Sequence, residues 1–175
     1  MDTYAVVLYF DAGANDTFKA IINDMAIAAS NYYMIDVNIP PHITVGSFLS
    51  DDHVEMLSRI EEIKNHLEGF TLTFDCMKAF EPHVLFASPI KDSNLDHTNR
   101  LVHEAFLENF IPADQNNYLP ENWIPHCALA VKLDRNQLDK AMAIGKRLRF
   151  PIFAEVEQIA LARCNPYREI AIWNI

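Results

Sequence analysis

The stretch Pro41-His42-Ile43-Thr44-Val45-Gly46-Ser47-Phe48 decides how this chain is read, because it returns as Pro125-His126-Cys127-Ala128-Leu129-Ala130-Val131. Each copy is a proline, a histidine and then a run with the residue types of a buried strand. Each leads to an acidic turn, Ser50-Asp51-Asp52 after the first and Asp134 after the second, with a helical pattern beyond. The two histidines stand close to half the chain apart. Each copy also follows a strand–helix pattern, so the order of elements predicts two related halves.

Side chains alternate along a strand. His42, Thr44 and Gly46 therefore share one face, and Ile43 and Val45 the other. In the second copy His126, Ala128, Ala130 and Lys132 share a face, and Cys127, Leu129 and Val131 oppose it. The histidine faces are small or polar and the opposite faces apolar. That pattern predicts two strands lying side by side with their histidines in one cleft.

Outward from these strands, the residue types predict a strand over 3–10 and a turn over 11–16, with Asn15 or Asp16 as N-cap of a helix over 17–30. The Pro40-Pro41 pair enforces extended backbone before His42. A helix is expected over 53–68, strands over 70–74 and 83–87, and a helix over 95–110. Residues 111–123 read as a long loop. A helix ending near 148 and strands over 152–162 and 169–173 follow. The expected class is α+β and bilobal. Two pseudo-symmetric lobes, each a mainly antiparallel sheet with outer helices, enclose a central cleft, and residues 1–175 form one domain.

The formal net charge of −10 at neutral pH repels a nucleic-acid backbone at long range and gives no footprint for duplex DNA. It leaves room for a small nucleotide or an RNA end, which needs only a few local groups. Basic residues gather late, at Lys140, Lys146, Arg147, Arg149, Arg163 and Arg168, and read chiefly as a solvated helix face. Cys76, Cys127 and Cys164 are widely spaced, with no CxxC pair, and read as reduced thiols. No basic leader precedes the first strand, and no run approaches the roughly 20 apolar residues of a membrane span. A cytoplasmic, soluble monomer without membrane contact is expected.

Two imidazoles facing one phosphate are suited to phosphodiester chemistry. One can take a proton from water while the other gives a proton to the leaving oxygen, since histidine titrates near neutrality. A hydroxyl two residues along the strand can donate to a phosphate oxygen. No spacing suggests a zinc site, and neither a metal nor another cofactor is expected.

His42-Ile43-Thr44-Val45 and His126-Cys127-Ala128-Leu129 resemble the paired His-x-Thr/Ser-x motifs of the 2H phosphoesterase superfamily, which includes the bacterial RNA 2′,3′-cyclic phosphodiesterases, also called 2′-5′ RNA ligases. The resemblance covers most of the chain in element order. It implies a bilobal α+β fold and metal-independent chemistry on phosphodiesters of RNA ends or nucleotides. It implies His42 and His126 as the catalytic pair, with His126 as base and His42 as acid, an assignment the residues alone leave open. It places Thr44 on a phosphate oxygen. The expected partner is an RNA 3′ end or a small cyclic nucleotide, and the bond acted on is a cyclic phosphodiester or a 2′-5′ linkage.

The second motif departs from the pattern, with Ala128 at the place of the second hydroxyl. A hydrogen bond to an anion contributes roughly 1.5–3 kcal/mol, or about 10- to 100-fold in rate. Ala128 thus keeps a second function open, that of a nucleotide- or RNA-end-binding protein of the same fold with weak or no turnover. Candidates to contact a base are Phe48 on the motif strand, Tyr118 or Trp123 in the long loop, and Tyr9 or Phe10 on the first strand, which are adjacent so that only one can face the cleft. Arg163 and Tyr167 are within reach of a phosphate. His53, His66, His97 and His103 fall on helical patterns and are expected at the surface, and His83 has no partner motif.

Overall fold

The computed structural model describes all 175 residues. Its elements run β1 (Asp2–Phe10), α1 (Ala12–Ala29), α2 (Tyr33–Asp36), β2 (Ile43–Ser50), α3 (Val54–Ile63), β3 (Phe70–Phe80), β4 (Val84–Pro89), α4 (Ser93–Phe106), β5 (Ile111–Pro112), β6 (Cys127–Ala130), α5 (Arg135–Gly145), β7 (Ile152–Arg163) and β8 (Arg168–Asn174). The helix α1 starts before the expected cap. Asp11, rather than Asn15 or Asp16, caps it, accepting from the Ala14 N–H at 3.0 Å while its other oxygen accepts from the Glu155 N–H at 2.9 Å. The strand β3 runs six residues past its expected end, to Phe80. The long loop contributes β5, a two-residue strand against Phe48 and Leu49.

The α+β class and the internal symmetry are both present. All strand pairs are antiparallel, and they close a ring: β1 pairs β2, β2 pairs β6, β6 pairs β4, β4 pairs β3, β3 pairs β7, and β7 returns to β1. Exchanging β1 with β4, β2 with β6 and β3 with β7 maps this set of pairings onto itself, with β2–β6 and β3–β7 as the two central pairings. The helices obey the same exchange, α1 packing on α5 and α3 on α4. The lobes are therefore interlocked. The last strand of each half completes the sheet of the other, and the eight strands form one continuous sheet.

One face of the sheet is covered by the helices. There Tyr4, Val6, Leu8 and Phe10 of β1 join a cluster of 38 buried apolar residues. Ala5, Val7 and Tyr9 alternate with them and pack with Ala160 on the other face, which lines the cleft. Burial of this size is the main driving force for the fold.

Each motif strand departs from simple alternation at the same place. Val6 pairs with Gly46 and Val7 with Thr44, so Val45 is an extra residue in β2. Leu85 pairs with Ala130 and Phe86 with Ala128, so Leu129 is an extra residue in β6. These are β-bulges, each three residues after its histidine, and a bulge turns the following side chains to the opposite face. Gly46 consequently points at α4. A methyl group on it would stand 2.8 Å from the Phe48 ring and 2.9 Å from Val102. Ala130 likewise lies in the apolar core, not on the cleft face expected from alternation. Gly46→Ala is predicted to lower unfolding free energy by about 1–3 kcal/mol through overpacking, measured by urea denaturation. An unchanged midpoint would place the Gly46 position on the open face instead.

Candidate active site

β2 and β6 share a single backbone pairing, Ile43 with Cys127, the residues that follow the two histidines. Antiparallel register then sets Thr44 across from His126 and Ala128 across from His42. The four motif residues form a two-by-two patch on the cleft face, with Ile43 and Cys127 beneath it in the apolar core. Cys127 is therefore no substitute for a cleft hydroxyl, and burial pushes its thiol pKa up to about 12.

Both histidines are held in the same way. The Nδ1 of His42 lies 2.7 Å from the Pro40 carbonyl, and the Nδ1 of His126 lies 2.8 Å from the Ile124 carbonyl. A carbonyl only accepts, so each Nδ1 carries the hydrogen, and the neutral ring keeps its lone pair on Nε2. The intervening Pro41 and Pro125 restrict the backbone that makes this two-residue loop. Burial lowers the pKa of both rings, and the carbonyl bonds partly restore it. The charge of His126 lowers His42 further, so the two imidazoles sense each other.

The two sides of the patch differ. His42 stacks on Tyr167, with ring centres 6.1 Å apart and planes at 28°. The Tyr167 hydroxyl hydrogen-bonds that of Tyr9, and burial pushes the Tyr167 pKa up to about 12. His126 sits against Phe80 and Phe86, at 5.1 and 5.3 Å. Tyr118 also stacks near the His126 ring, with ring centres 6.5 Å apart and planes at 29°. Beside His126 lies a cavity of about 540 Å³, lined by Phe80, Asp114, Tyr118, Asn122 and Trp123 among others. That volume suits a small organic ligand.

The long loop is fixed over this cavity. Trp123 donates its indole N–H to the Thr44 carbonyl at 3.1 Å. The buried Asn99 of α4 donates to the carbonyl of the bulged Val45 at 2.8 Å and to that of Tyr118 at 3.0 Å. The bulge turns Ser47 to the cleft, where its hydroxyl donates to Asp114 at 2.5 Å. Asp114, Gln115 and Asn116 have φ of 51°, 56° and 65°, three left-handed residues in a row. Such residues cost roughly 1–2 kcal/mol each. The Ser47 bonds and the Asn122 side chain on the Asn116 carbonyl hold the turn in place.

Among the residues singled out from sequence, His42, His126, Thr44 and Ala128 meet on one face, and Trp123 lines the adjoining cavity. Phe48 does not reach the cleft. The bulge at Val45 reverses the phase of β2, and Phe48 is fully buried against Phe106, with ring centres 4.8 Å apart. His103, expected at the surface, is also buried, beside Phe48, with its Nδ1 on the Asn99 carbonyl. Lys132 turns away from the patch, its ammonium 3.8 Å from the centre of the Tyr33 ring. Arg163 is in an ion pair with Asp2 at 2.9 Å. No group of three or more His, Cys, Asp or Glu side chains is placed to hold a metal ion, and no helix is long and apolar enough to cross a membrane.

A two-histidine patch in a cleft between interlocked β-lobes is the arrangement of a phosphoesterase of the 2H type. The profile of the 2′-5′ RNA ligase superfamily matches residues 15–166, and the chain belongs to that superfamily. The fold is similar to that of TT0787 of Thermus thermophilus (TM-score 0.66, 13% identity, 98% of this chain and 97% of that chain covered). It is similar to E. coli LigT complexed with 3′-AMP (TM-score 0.62, 12% identity, 99% and 98% covered). Kluyveromyces marxianus Usb1 is a more distant likeness (TM-score 0.52, 8% identity, 99% and 98% covered). No curated protein matches the sequence.

Asn99, Ser47 and Asp114 support the site and were not singled out from sequence. Asn99 had a visible signal. It and His103 occupy the apolar stripe of α4 formed by Leu95, Val102 and Phe106, where a polar side chain demands a buried partner. Ser47 had none, since its face depends on the bulge.

Because burial depresses the His42, His126 and His103 pKa values, the unfolded chain binds more protons than the folded one as pH falls below about 6.5. The three neutral rings therefore contribute full stability above that pH, and the contribution is lost as pH falls toward their folded values. Urea denaturation from about pH 7 to about pH 5 is expected to show this decline, and His42→Gln/His126→Gln to flatten it. An equal slope in the double variant would rule out His42 and His126 as its cause.

Proposed function

We propose that this protein is a 2′,3′-cyclic phosphodiesterase in which His42 and His126 act as general acid and base. The observation that carries the proposal is the matched pair of imidazoles. Each has Nδ1 tied to the carbonyl two residues earlier, so that both Nε2 atoms serve one cleft face. In the proposed step the His126 Nε2 accepts a proton from water as the water oxygen bonds to phosphorus. The protonated His42 Nε2 gives its proton to the ribose oxygen that leaves, and the ring opens to a phosphomonoester. The acid and base labels follow the family resemblance. Thr44 donates to a non-bridging oxygen, and the cavity lined by Trp123 takes the base. The complexes of LigT with 3′-AMP and with phosphate support a ligand of this kind. Localisation in the cytoplasm and a monomeric state belong to the same proposal.

His42→Ala and His126→Ala are each expected to lower kcat by about 100-fold or more, assayed on a 2′,3′-cyclic mononucleotide. Retention of activity in both would reject the mechanism. The pH–rate profile is expected to be bell-shaped. A base with a lowered pKa stays neutral into the acid range, while an acid with a lowered pKa loses its proton earlier, so the optimum lies on the acid side of neutrality. Turnover that survives chelation is the expected result.

Ala128 favours a second function, binding without turnover, since the site across from His42 lacks a hydroxyl. Ala128→Thr is expected to raise kcat/KM by about 10- to 100-fold. Calorimetry with a 2′-phosphorylated nucleotide separates the two functions: binding by a wild-type protein that shows no turnover selects the second.

A further inference from the structure

A second cavity adjoins the first, with Trp123 and Ile124 as their common wall. It measures about 470 Å³ and is lined mostly by polar groups, among them Lys78, Lys91, Arg100, Ser88 and Asp96. The three cations come from different elements: Lys78 from β3, Lys91 from the turn after β4 and Arg100 from α4. None of them is in an ion pair. Asp96 is the one carboxylate that faces them within the cavity. Arg100 also borders Glu104 and Glu121 on its outer side.

Register connects this cavity to the patch. Lys78 pairs with Phe86, and Phe86 with Ala128, so the three share the cleft face of neighbouring strands. Two strand spacings put the Lys78 backbone about 10 Å from that of Ala128, within reach of a long side chain. A chain of net charge −10 thus gathers three unpaired cations next to its candidate active site. A recess with one sign of charge raises the local potential against the overall field.

We propose that this cavity binds the phosphate preceding the terminal nucleoside, so that the substrate is an RNA 3′ end rather than a free mononucleotide. The inference rests on the phosphodiesterase function proposed above. The terminal cyclic phosphate lies at the histidines with its base in the first cavity, and the chain passes Trp123 into the second. A mononucleotide carries no phosphate to occupy the cations. Arg100 and the two lysines neutralise the phosphodiester, and the Trp123 ring offers a stacking wall between the two nucleosides.

The test compares kcat/KM for a 2′,3′-cyclic mononucleotide and for an RNA trinucleotide ending in a 2′,3′-cyclic phosphate, in wild type and in Lys78→Gln/Lys91→Gln/Arg100→Gln. All three residues are exposed, so the substitutions leave the core intact. Wild type is expected to prefer the trinucleotide by about tenfold or more. The triple variant is expected to lose that preference while keeping mononucleotide turnover. The preference is expected to fall with salt, with a log–log slope of about −0.7 per phosphate held. Equal kcat/KM on both substrates in wild type, or equal loss on both in the variant, overturns the inference and leaves the phosphodiesterase function standing. If wild type turns over neither substrate, that function fails. Anisotropy with the fluorescently labelled trinucleotide then judges the cavity alone: a tenfold or greater affinity loss in the variant supports it, and no loss overturns it.

Discussion

The pairing of Ile43 with Cys127 is the interaction on which the arrangement depends. It is the only backbone pairing between β2 and β6, and it lies where the two halves of the chain meet. Between strands the lobes otherwise meet only where β3 pairs β7, while α1 packs on β6 and α4 on β2 across the same seam. Because the paired residues directly follow His42 and His126, one rung of a ladder fixes both rings relative to each other. The side chains of the rung are buried in the apolar core, so ordinary hydrophobic burial anchors a polar patch on the opposite face.

The bulges are the second constraint. A strand without a bulge would carry His42, Thr44, Gly46 and Phe48 on one face. The extra residue at Val45 sends Phe48 into the core with Phe106 and turns Ser47 toward Asp114. The bulge also frees a carbonyl, and Asn99 satisfies it while holding the Tyr118 carbonyl with the same amide group. One buried asparagine therefore links the kink in the strand to the loop that covers the cavity. The strained left-handed turn at Asp114–Asn116 belongs to the same network, which is a common place for such strain.

The two sides of the patch are unequal although the backbone is nearly symmetric. His126 is surrounded by aromatic rings and borders the larger cavity, while His42 lies on the Tyr167–Tyr9 hydroxyl pair. Thr44 provides a hydroxyl opposite His126, and Ala128 provides none opposite His42. The symmetry of the fold places two equivalent imidazoles, and the side chains around them make their surroundings different. Under the proposed function, that difference suits one ring to take a proton and the other to give it.

Much of this was legible in the chain itself. The repeated Pro-His strand and its acidic cap were enough to expect two related halves, an α+β fold and two histidines facing one cleft, because proline restriction, strand alternation and helix capping are local effects. The phase of each motif strand was not legible, because a bulge depends on packing against neighbouring strands and on a distant amide to satisfy its carbonyl. For that reason alternation alone puts Phe48 on the cleft face with Thr44, whereas the bulge at Val45 buries it. The interlocking of the lobes, the burial of His103 and the gathering of Lys78, Lys91 and Arg100 were likewise decided by tertiary structure. Each joins residues far apart in the chain, and no local pattern records which of them meet.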